Sequence, residues 1–400
     1  MAQIVGQRST AQIISEARNV RDVAPKIFYL EPDKQPLITF LNKLNKKKAC
    51  YSTKYTWFES DYCARWTTMG ATTGTTGDTA LVVTDGTLFK PGDMFVVPKV
   101  VTSATAPELI RVVSISTNTL TVVRAQGGTS ATTIGAGAAL TFAGTAYEEG
   151  AALPAMRSTI PVEKTSYTQI FRTVINLTNT SRATKVYGLD ELQRLRFEKA
   201  AEHKISINRA FLFGGPGEDL TGGATGNPIR TTQGLLGTIT TNVFNANGTL
   251  TRGTIERFSQ MAFRYGSSEK VLLASPTVIS AINQFAQQHL MISPNEKVMG
   301  VNVNRMKTGH GDFLLVRDWM LEDGVSALNG FAGNALALDL DQIQIRYLNE
   351  NGVNRDTKYL EDVIQDGGDR RADEYLSEIG QEIHNEKYHA RLYNVTGWAA

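Results

Sequence analysis

Cysteine is nearly absent: Cys50 and Cys63 are the only two in 400 residues, and their spacing fits neither a zinc knuckle nor a redox pair. Reduced, structural thiols are expected, as a reducing compartment keeps them. Histidine is scarce too, limited to His203, His289, His310, His384 and His389. His384 and His389 are too far apart to be i, i+4 ligands on a helix face, and no cysteine is near either, so no metal is expected. No apolar run approaches the roughly 18 residues that cross a bilayer, and Met1-Ala2-Gln3 does not open a charged-then-apolar signal layout. The expectation is a protein made and kept in the cytoplasm, with no membrane partner. An excess of one charge is also missing. With 41 basic and 39 acidic side chains there is no global footprint for nucleic acid, so any such contact must be local.

Catalytic patterns are missing as well. The loop Gly214–Gly226 holds six glycines, but it lacks the Lys-Ser/Thr ending of a phosphate loop and follows a helix rather than a strand. A flexible connection is the expected reading. His310, in Thr308-Gly309-His310-Gly311-Asp312, reads as a hairpin tip with no Gly-x-Ser-x-Gly elbow to accompany it. Glu148/Glu149 and Asp339/Asp341 are acid pairs of the kind common in loops and at strand ends, and without an apolar pocket they say nothing about acid–base work. No enzyme activity and no cofactor are expected.

What is present is an abrupt change of style. Residues 70–146 are rich in Thr, Gly and Val, with short β-branched runs at Ala80–Val83, Met94–Val97, Leu109–Ile115 and Leu120–Val123. Turn chemistry at Lys90-Pro91-Gly92-Asp93 and Thr117-Asn118 separates them, which makes a small all-β module. Ala125 to Tyr147 carries no charge at all, and that stretch needs cover from a partner or from the module's own sheet.

The first 50 residues read as an arm. Ser9 and Gln12 cap a short helix bearing Ile13 and Ile14, and Leu37, Phe40, Leu41 and Leu44 make one stripe of a second. Pro25, Pro32 and Pro36 keep the chain extended between them. The stripes lack a partner inside the arm and are expected to dock on a body or on a neighbouring subunit, which makes Ile13, Ile14, Leu37, Phe40, Leu41 and Leu44 candidate assembly contacts. Lys43, Lys46, Lys47 and Lys48 follow. This cluster suits either a phosphate backbone or a solvated helix end favoured by the macrodipole.

Residues 51–69 are dense in aromatics, and alternation over Tyr51–Phe58 predicts a strand. Alternating strands are predicted over Pro154–Leu177, including Thr168–Val174, followed by a helix from Thr184 to about Phe213, which would span about 45 Å, with Arg194 placed to pair with Glu191 and Glu198. Beyond the glycine-rich loop come a helix over Thr254–Tyr265, a strand over Val271–Ala274 and a helix opened by Ser275-Pro276. Strands are predicted at Val298–Val303, Phe313–Val316, Ala335–Leu340 and Ile343–Tyr347. After a polar stretch at Asp366–Asp373, two closing strands follow, Tyr375–His384 and Tyr388–Asn394.

This order resembles the major capsid proteins of tailed bacteriophages (Caudoviricetes), the Hong Kong 97 fold, in the subgroup with an all-β insertion in the extended loop. The resemblance rests on Phe89-Lys90-Pro91-Gly92-Asp93 with Val112–Ile115 and Asn118–Gly128, on Leu189–Phe213, on Arg230–Leu236 and on Glu382–Ala390. It implies an α+β Hong Kong 97-like capsid fold: residues 1–50 as N-terminal arm; 51–165 as extended loop with the insertion at about 70–146; 166–229 and 355–400 as peripheral domain with the spine helix; 230–354 as axial domain. It further implies a structural protein of the virion that self-assembles, as pentamers and hexamers, into an icosahedral head shell around double-stranded DNA, put together in the host cytoplasm. A portal and a decoration protein are implied partners. With only about 50 residues ahead of the loop, scaffolding is expected from a separate protein. On the lumen side, Lys43, Lys46, Lys47 and Lys48 would face the DNA. The competing readings are a surface adhesive or glycan-binding protein using the 70–146 module, which lacks a secretion signal or anchor, and a nucleotide-using enzyme.

Overall fold

The computed structural model describes residues 36–97, 107–185, 190–289, 292–298, 301–321, 331–364 and 367–398; Ile13, Ile14 and Leu189 lie outside the described residues. The chain divides into two units, Met1–Trp57 with Lys164–Ala400, and Phe58–Glu163. In chain order come α1 (Pro36–Lys43), β1 (Lys47–Cys50) and β2 (Lys54–Glu59), then β3 (Trp66–Thr68), β4 (Ala80–Val82), β5 (Asp93–Val97), β6 (Glu108–Ser116), β7 (Thr119–Val123) and β8 (Ala139–Thr145). The chain returns through β9 (Val162–Tyr167), β10 (Gln169–Thr178), α2 (Asn179–Ala183), α3 (Glu191–Phe213), β11 (Gly217–Asp219), β12 (Ile229–Thr231) and α4 (Leu235–Thr238). There follow β13 (Val243–Leu250), α5 (Arg252–Ala262), β14 (Glu269–Ala274), α6 (Pro276–His289), β15 (Ile292–Val298), β16 (Val301–Lys307) and β17 (Asp312–Arg317). The last strands are β18 (Ala335–Leu338), β19 (Ile343–Glu350), β20 (Val353–Asn354), β21 (Lys358–Leu360), β22 (Arg370–Ile383) and β23 (Ala390–Trp398).

The first unit holds two sheets, one ordered β13-β23-β18-β14-β17-β16-β15 and one β1-β19-β22-β10 with β20 and β21 at its side. Its centre is β14, where Val271 to Ala274 are all buried because alternate residues serve opposite cores. Leu272 and Ala274 pack on Ile255 and Phe258 of α5 and on Val278 and Ile282 of α6. α6 starts where Ser275-Pro276 signals it, whereas α5 begins at Arg252, two residues ahead of the expected Thr254, and ends at Ala262. Thr251 and Thr254 cap α5 reciprocally, Thr254 N donating to Thr251 Oγ1 at 3.2 Å and Thr251 N to Thr254 Oγ1 at 2.8 Å, and Ser275 Oγ accepts from Val278 N at 3.3 Å ahead of Pro276. Lys270, fully buried, closes the other end of α5 by donating to Ala262 O (2.6 Å) and Tyr265 O (2.7 Å), and burial lowers its ammonium to about 8.

The opposite face of β14, Val271 and Leu273, meets Leu37, Phe40 and Leu41 of α1, Ile207 and Phe211 of α3, and Ile345 and Ile379 of the second sheet. The expected arm therefore ends earlier than residue 50. The stripe of α1 is core, and β1 runs parallel to β19, Lys47 opposite Ile345. An eight-residue helix is not stable in water by itself and takes its stability from this packing. The strands also cross the expected domain boundaries: β19 joins the sheet of β22, while β23 joins that of β14.

Four other expectations are corrected. The long helix begins at Glu191, not Thr184, and its 23 residues span about 34 Å rather than about 45 Å. A separate short helix, α2, lies ahead of Thr184, capped by Thr178 and ended by the extended backbone of Thr184. The glycine-rich connection is a hairpin, β11 antiparallel to β12, with Arg230 Nε donating to Glu218 at 2.7 Å. The single strand expected at Val298–Val303 straddles the β15–β16 hairpin, and Arg370–Asp373 belongs to β22 rather than to a polar connection.

The second unit is a small closed β-barrel. Its sheet runs β3-β8-β5-β6-β7-β4, and Met69 bridges Val83 while Gly70 N donates to Val82 O at 2.8 Å, joining the last strand to the first. Closure removes the edges on which sheets aggregate. Inside lie Leu81, Phe95, Ile110, Leu120, Ile134 and Leu140, so the uncharged stretch, which supplies β8, is covered by its own barrel. Buried Glu108 organises the entry to that stretch: Arg124 Nε and Nη2 grip it at 2.6 and 2.7 Å, and Thr132 N and Ala125 N donate at 2.8 and 3.2 Å. Lys90-Pro91-Gly92-Asp93 turns with Gly92 at φ +88°, a conformation glycine adopts without strain. Cys50 is buried and Cys63 half-buried, both unbridged, and burial pushes the Cys50 thiol up to about 11.

Because Leu41 is fully enclosed in the core shared by the two sheets, Leu41→Ala should cost about 2–5 kcal/mol. Denaturant unfolding of the free chain measures this; unchanged stability would contradict the placement of α1 in the core.

Candidate assembly surfaces

The second sheet of the first unit is organised by charge. Along β22, Glu374, Glu378 and Glu382 recur every four residues on one face, all nearly buried, and each is held by an arginine from elsewhere in the sheet region. Arg172 of β10 reaches Glu374 (Nε to Oε2, 3.0 Å), Arg355 reaches Glu378, and Arg346 of β19 reaches Glu382. The other face turns to α3. Asp373 accepts from Arg371 Nε (2.8 Å), Asp362 N (2.9 Å), Arg196 Nη2 (3.1 Å) and the Tyr359 hydroxyl. Ser377 Oγ and buried His203 Nε2 of α3 hydrogen-bond at 2.7 Å, and burial lowers the imidazole pKa. On α3, Arg194 binds Glu191 and Glu198, each at 2.9 Å. Gly380 leaves room where Tyr55 of β2 crosses β22: a Cβ there would lie 2.5 Å from the Tyr55 hydroxyl, which donates to Gln381 O at 2.8 Å.

Burial works to raise both key carboxyls and is overcome. His384 and Arg346 bring Glu382 down to about 2, and the four donors around Asp373 hold it well below the usual carboxylate range. The unit is thereby stiffened by satisfied, largely dry ion pairs whose single-sided removal is expensive.

The residues expected to mediate assembly fall elsewhere. Leu37, Phe40 and Leu41 are enclosed in the chain's own core and offer nothing to a neighbour, and Leu44 is half-buried. The lysine cluster is not one patch either. Lys46 Nζ donates to Asp341 at 2.8 Å and Lys47 Nζ to Asp356 at 3.1 Å, while Lys43 and Lys48 are exposed. Lys47 and Lys48 are consecutive in β1 and so point to opposite faces. His310 is exposed at the β16–β17 tip, and His389 is enclosed, accepting from Asp339 N at Nδ1 (3.2 Å). Among the described residues no three His, Cys, Asp or Glu side chains gather as metal ligands.

The surface that sequence reasoning missed is in the second unit, outside the barrel. Two limbs, residues 58–66 and 147–163, are tied by Thr159 Oγ1, which donates to Asp61 O at 2.8 Å and lies 3.3 Å from Ser60 Oγ. The return limb is anchored by polar groups: Arg157 pairs with buried Asp93 and lies over the Phe142 ring at 5.3 Å, and Lys90 Nζ donates to Ala155 O. Its large apolar side chains are left in water. Leu153 is 98% exposed, Ile160 87% and Met156 85%, and Tyr62 on the outgoing limb is 96% exposed. Four large apolar side chains this exposed on two tied limbs make the limbs a candidate interaction surface. The strand pattern expected from Pro154 onward begins only at Val162, and the large apolar residues before it, scattered among Ala and Pro, were the available signal.

Residues 4–396 match the model of a protein family described as SU10 major capsid protein. The chain belongs to this family. A major capsid protein of Pseudomonas phage PaMx41 is 37% identical over 118 residues, 29% of this chain. The match spans 28% of that relative's length. Among solved structures, the capsid of a native GTA particle computed with C5 symmetry gives a TM-score of 0.47 at 10% identity, over 95% of this chain and 96% of that one. Mycobacterium phage Bobi gives 0.46 at 10% identity, over 98% and 99%.

In this member of the SU10 major capsid protein family the β22 carboxylates set the acid limit. Folded Glu382 and Asp373 titrate below their unfolded values of about 4, so their stabilisation is complete above that range and is lost as pH falls through the folded values. Unfolding free energy should decline between about pH 5 and pH 2. Glu382→Gln, which leaves half-buried Arg346 without its carboxylate, should lose about 3–5 kcal/mol at pH 7 and show a flatter acid profile. An acid profile parallel to that of the unaltered chain would contradict this.

Proposed function

We propose that the chain is the structural subunit of a phage head: copies self-assemble into an icosahedral shell that encloses double-stranded DNA. The observation that carries this reading is the family match over residues 4–396. The two-unit organisation supports it. In the Hong Kong 97 arrangement, α3 takes the place of the spine helix and the sheet of β22 that of the peripheral domain. The sheet of β14 with α5 and α6 corresponds to the axial domain, and Phe58–Glu163 to the extended loop with its all-β insertion. Pentamers and hexamers of the chain, a separate scaffolding protein and a portal complete the proposed assembly, and the site of action is the virion.

The limbs supply the physical drive. Leu153, Met156 and Ile160 gain nothing in the free subunit, whereas covering them in a neighbour stabilises association by roughly 1.5–3 kcal/mol per side chain, multiplied by repetition over the shell.

Changing Leu153, Met156 and Ile160 together to Ser should leave the thermal unfolding of the free subunit almost unaltered, because exposed positions contribute little to folding. Electron micrographs of the variant should show no shells where the unaltered protein gives them. Normal particles would remove the limbs from the assembly account.

A further inference from the structure

The arginines of the first unit are unevenly employed. Arg172, Arg194, Arg196, Arg346, Arg355 and Arg371 each hold a carboxylate. Arg252 and Arg257 of α5 and Arg264 just beyond it are exposed and make no ion pair among the described residues. Three cations without a carboxylate thus sit on one short stretch. Two of them, Arg257 and Arg264, line a groove of about 500 Å³. Gln260 lies between them on the same wall, Met261 and Phe263 supply apolar surface, and His310 closes the end from the β16–β17 tip. The single acid of α5, Glu256, lies on the tip side, its Oε1 3.7 Å from where a Cβ on Gly309 would be.

We propose that this groove binds the phosphodiester backbone of duplex DNA. Arg257 on α5 and Arg264 just past its end open on the same groove, so each guanidinium can meet a phosphate of the backbone. The planar Gln260 amide between them adds a neutral donor to a phosphate oxygen. The groove lacks the dense ring of bases and acids that would read a sequence, so the binding is sequence-independent, driven by counterion release. The assignment rests on the shell reading above, which places duplex DNA within reach of the subunit. It moves the DNA contact away from the N-terminal lysines, two of which are engaged with Asp341 and Asp356.

The test uses the unassembled full chain and a fluorescent random-sequence duplex of about two helical turns, with anisotropy read at several salt concentrations. Arg257→Gln with Arg264→Gln should lower the slope of log affinity against log salt by about 1.8, at about 0.9 per phosphate contact. Gln260→Arg should raise it by about 0.9. Lys43→Gln with Lys48→Gln should leave it unchanged. All five substituted groove and arm side chains are exposed, and thermal unfolding checks that each variant is folded. An unchanged slope in the arginine variant, an equal loss in the lysine variant, or no binding by the unaltered chain would overturn the proposal. So would displacement of the duplex by poly-glutamate at equal charge concentration, which would assign the groove to an acidic polypeptide. Electron microscopy of the same samples reads shell formation separately, so failure of the groove and failure of the shell reading are told apart.

Discussion

A carboxylate taken out of water costs several kcal/mol unless charge and hydrogen bonds replace its hydration, and β22 takes four out within ten residues. Glu374, Glu378 and Glu382 on one face and Asp373 on the other are each met by arginines from β10, β19, α3 or the β20–β21 region. Because those arginines come from separate parts of the chain, the sheet is complete only when all of them have arrived. The apolar core beneath, from Leu37 of α1 to Ile383 of β22, supplies the non-directional drive. The ion pairs fix which strand lies beside which.

The second unit divides its chemistry the other way round. Its barrel is closed and apolar inside, with charge admitted, among the described residues, where Glu108 and Asp93 meet Arg124 and Arg157. Its limbs are held by polar groups and carry Leu153, Met156 and Ile160 outward. A monomeric protein gains nothing from that inversion. A subunit that meets many copies of itself does, since each exposed side chain is an interface residue awaiting its cover.

Local signals were legible where a short stretch of chain determines its own conformation. Ser275-Pro276 and the Lys90–Asp93 turn both predict what is found, because their hydrogen bonds lie within three or four residues. The stripe Leu37/Phe40/Leu41 was equally legible as buried, but periodicity says that a face is covered and not by what; its cover comes from Phe171, Ile207 and Phe211. The lysines were misread for the same reason, since Asp341 and Asp356 lie about 300 positions away. The start of α3 was misplaced at Thr184, whose backbone is extended and ends α2, while the long helix opens only at Glu191. Strand β8 was hidden in a Thr, Gly and Ala stretch whose order depends on Glu108 and on the closed barrel. The family resemblance survived these errors because it depends on the sequence of element types rather than on their ends.

Hydrogen exchange of the free subunit and of the assembled particle, compared amide by amide, tests the account most directly. If the β22 ladder makes the first unit rigid before assembly and the limbs are the surface that assembly covers, β22 amides exchange slowly in both states, while amides of residues 58–66 and 147–162 slow markedly in the particle. Fast exchange along β22 in the free subunit, or limbs whose exchange is the same in both states, would contradict it.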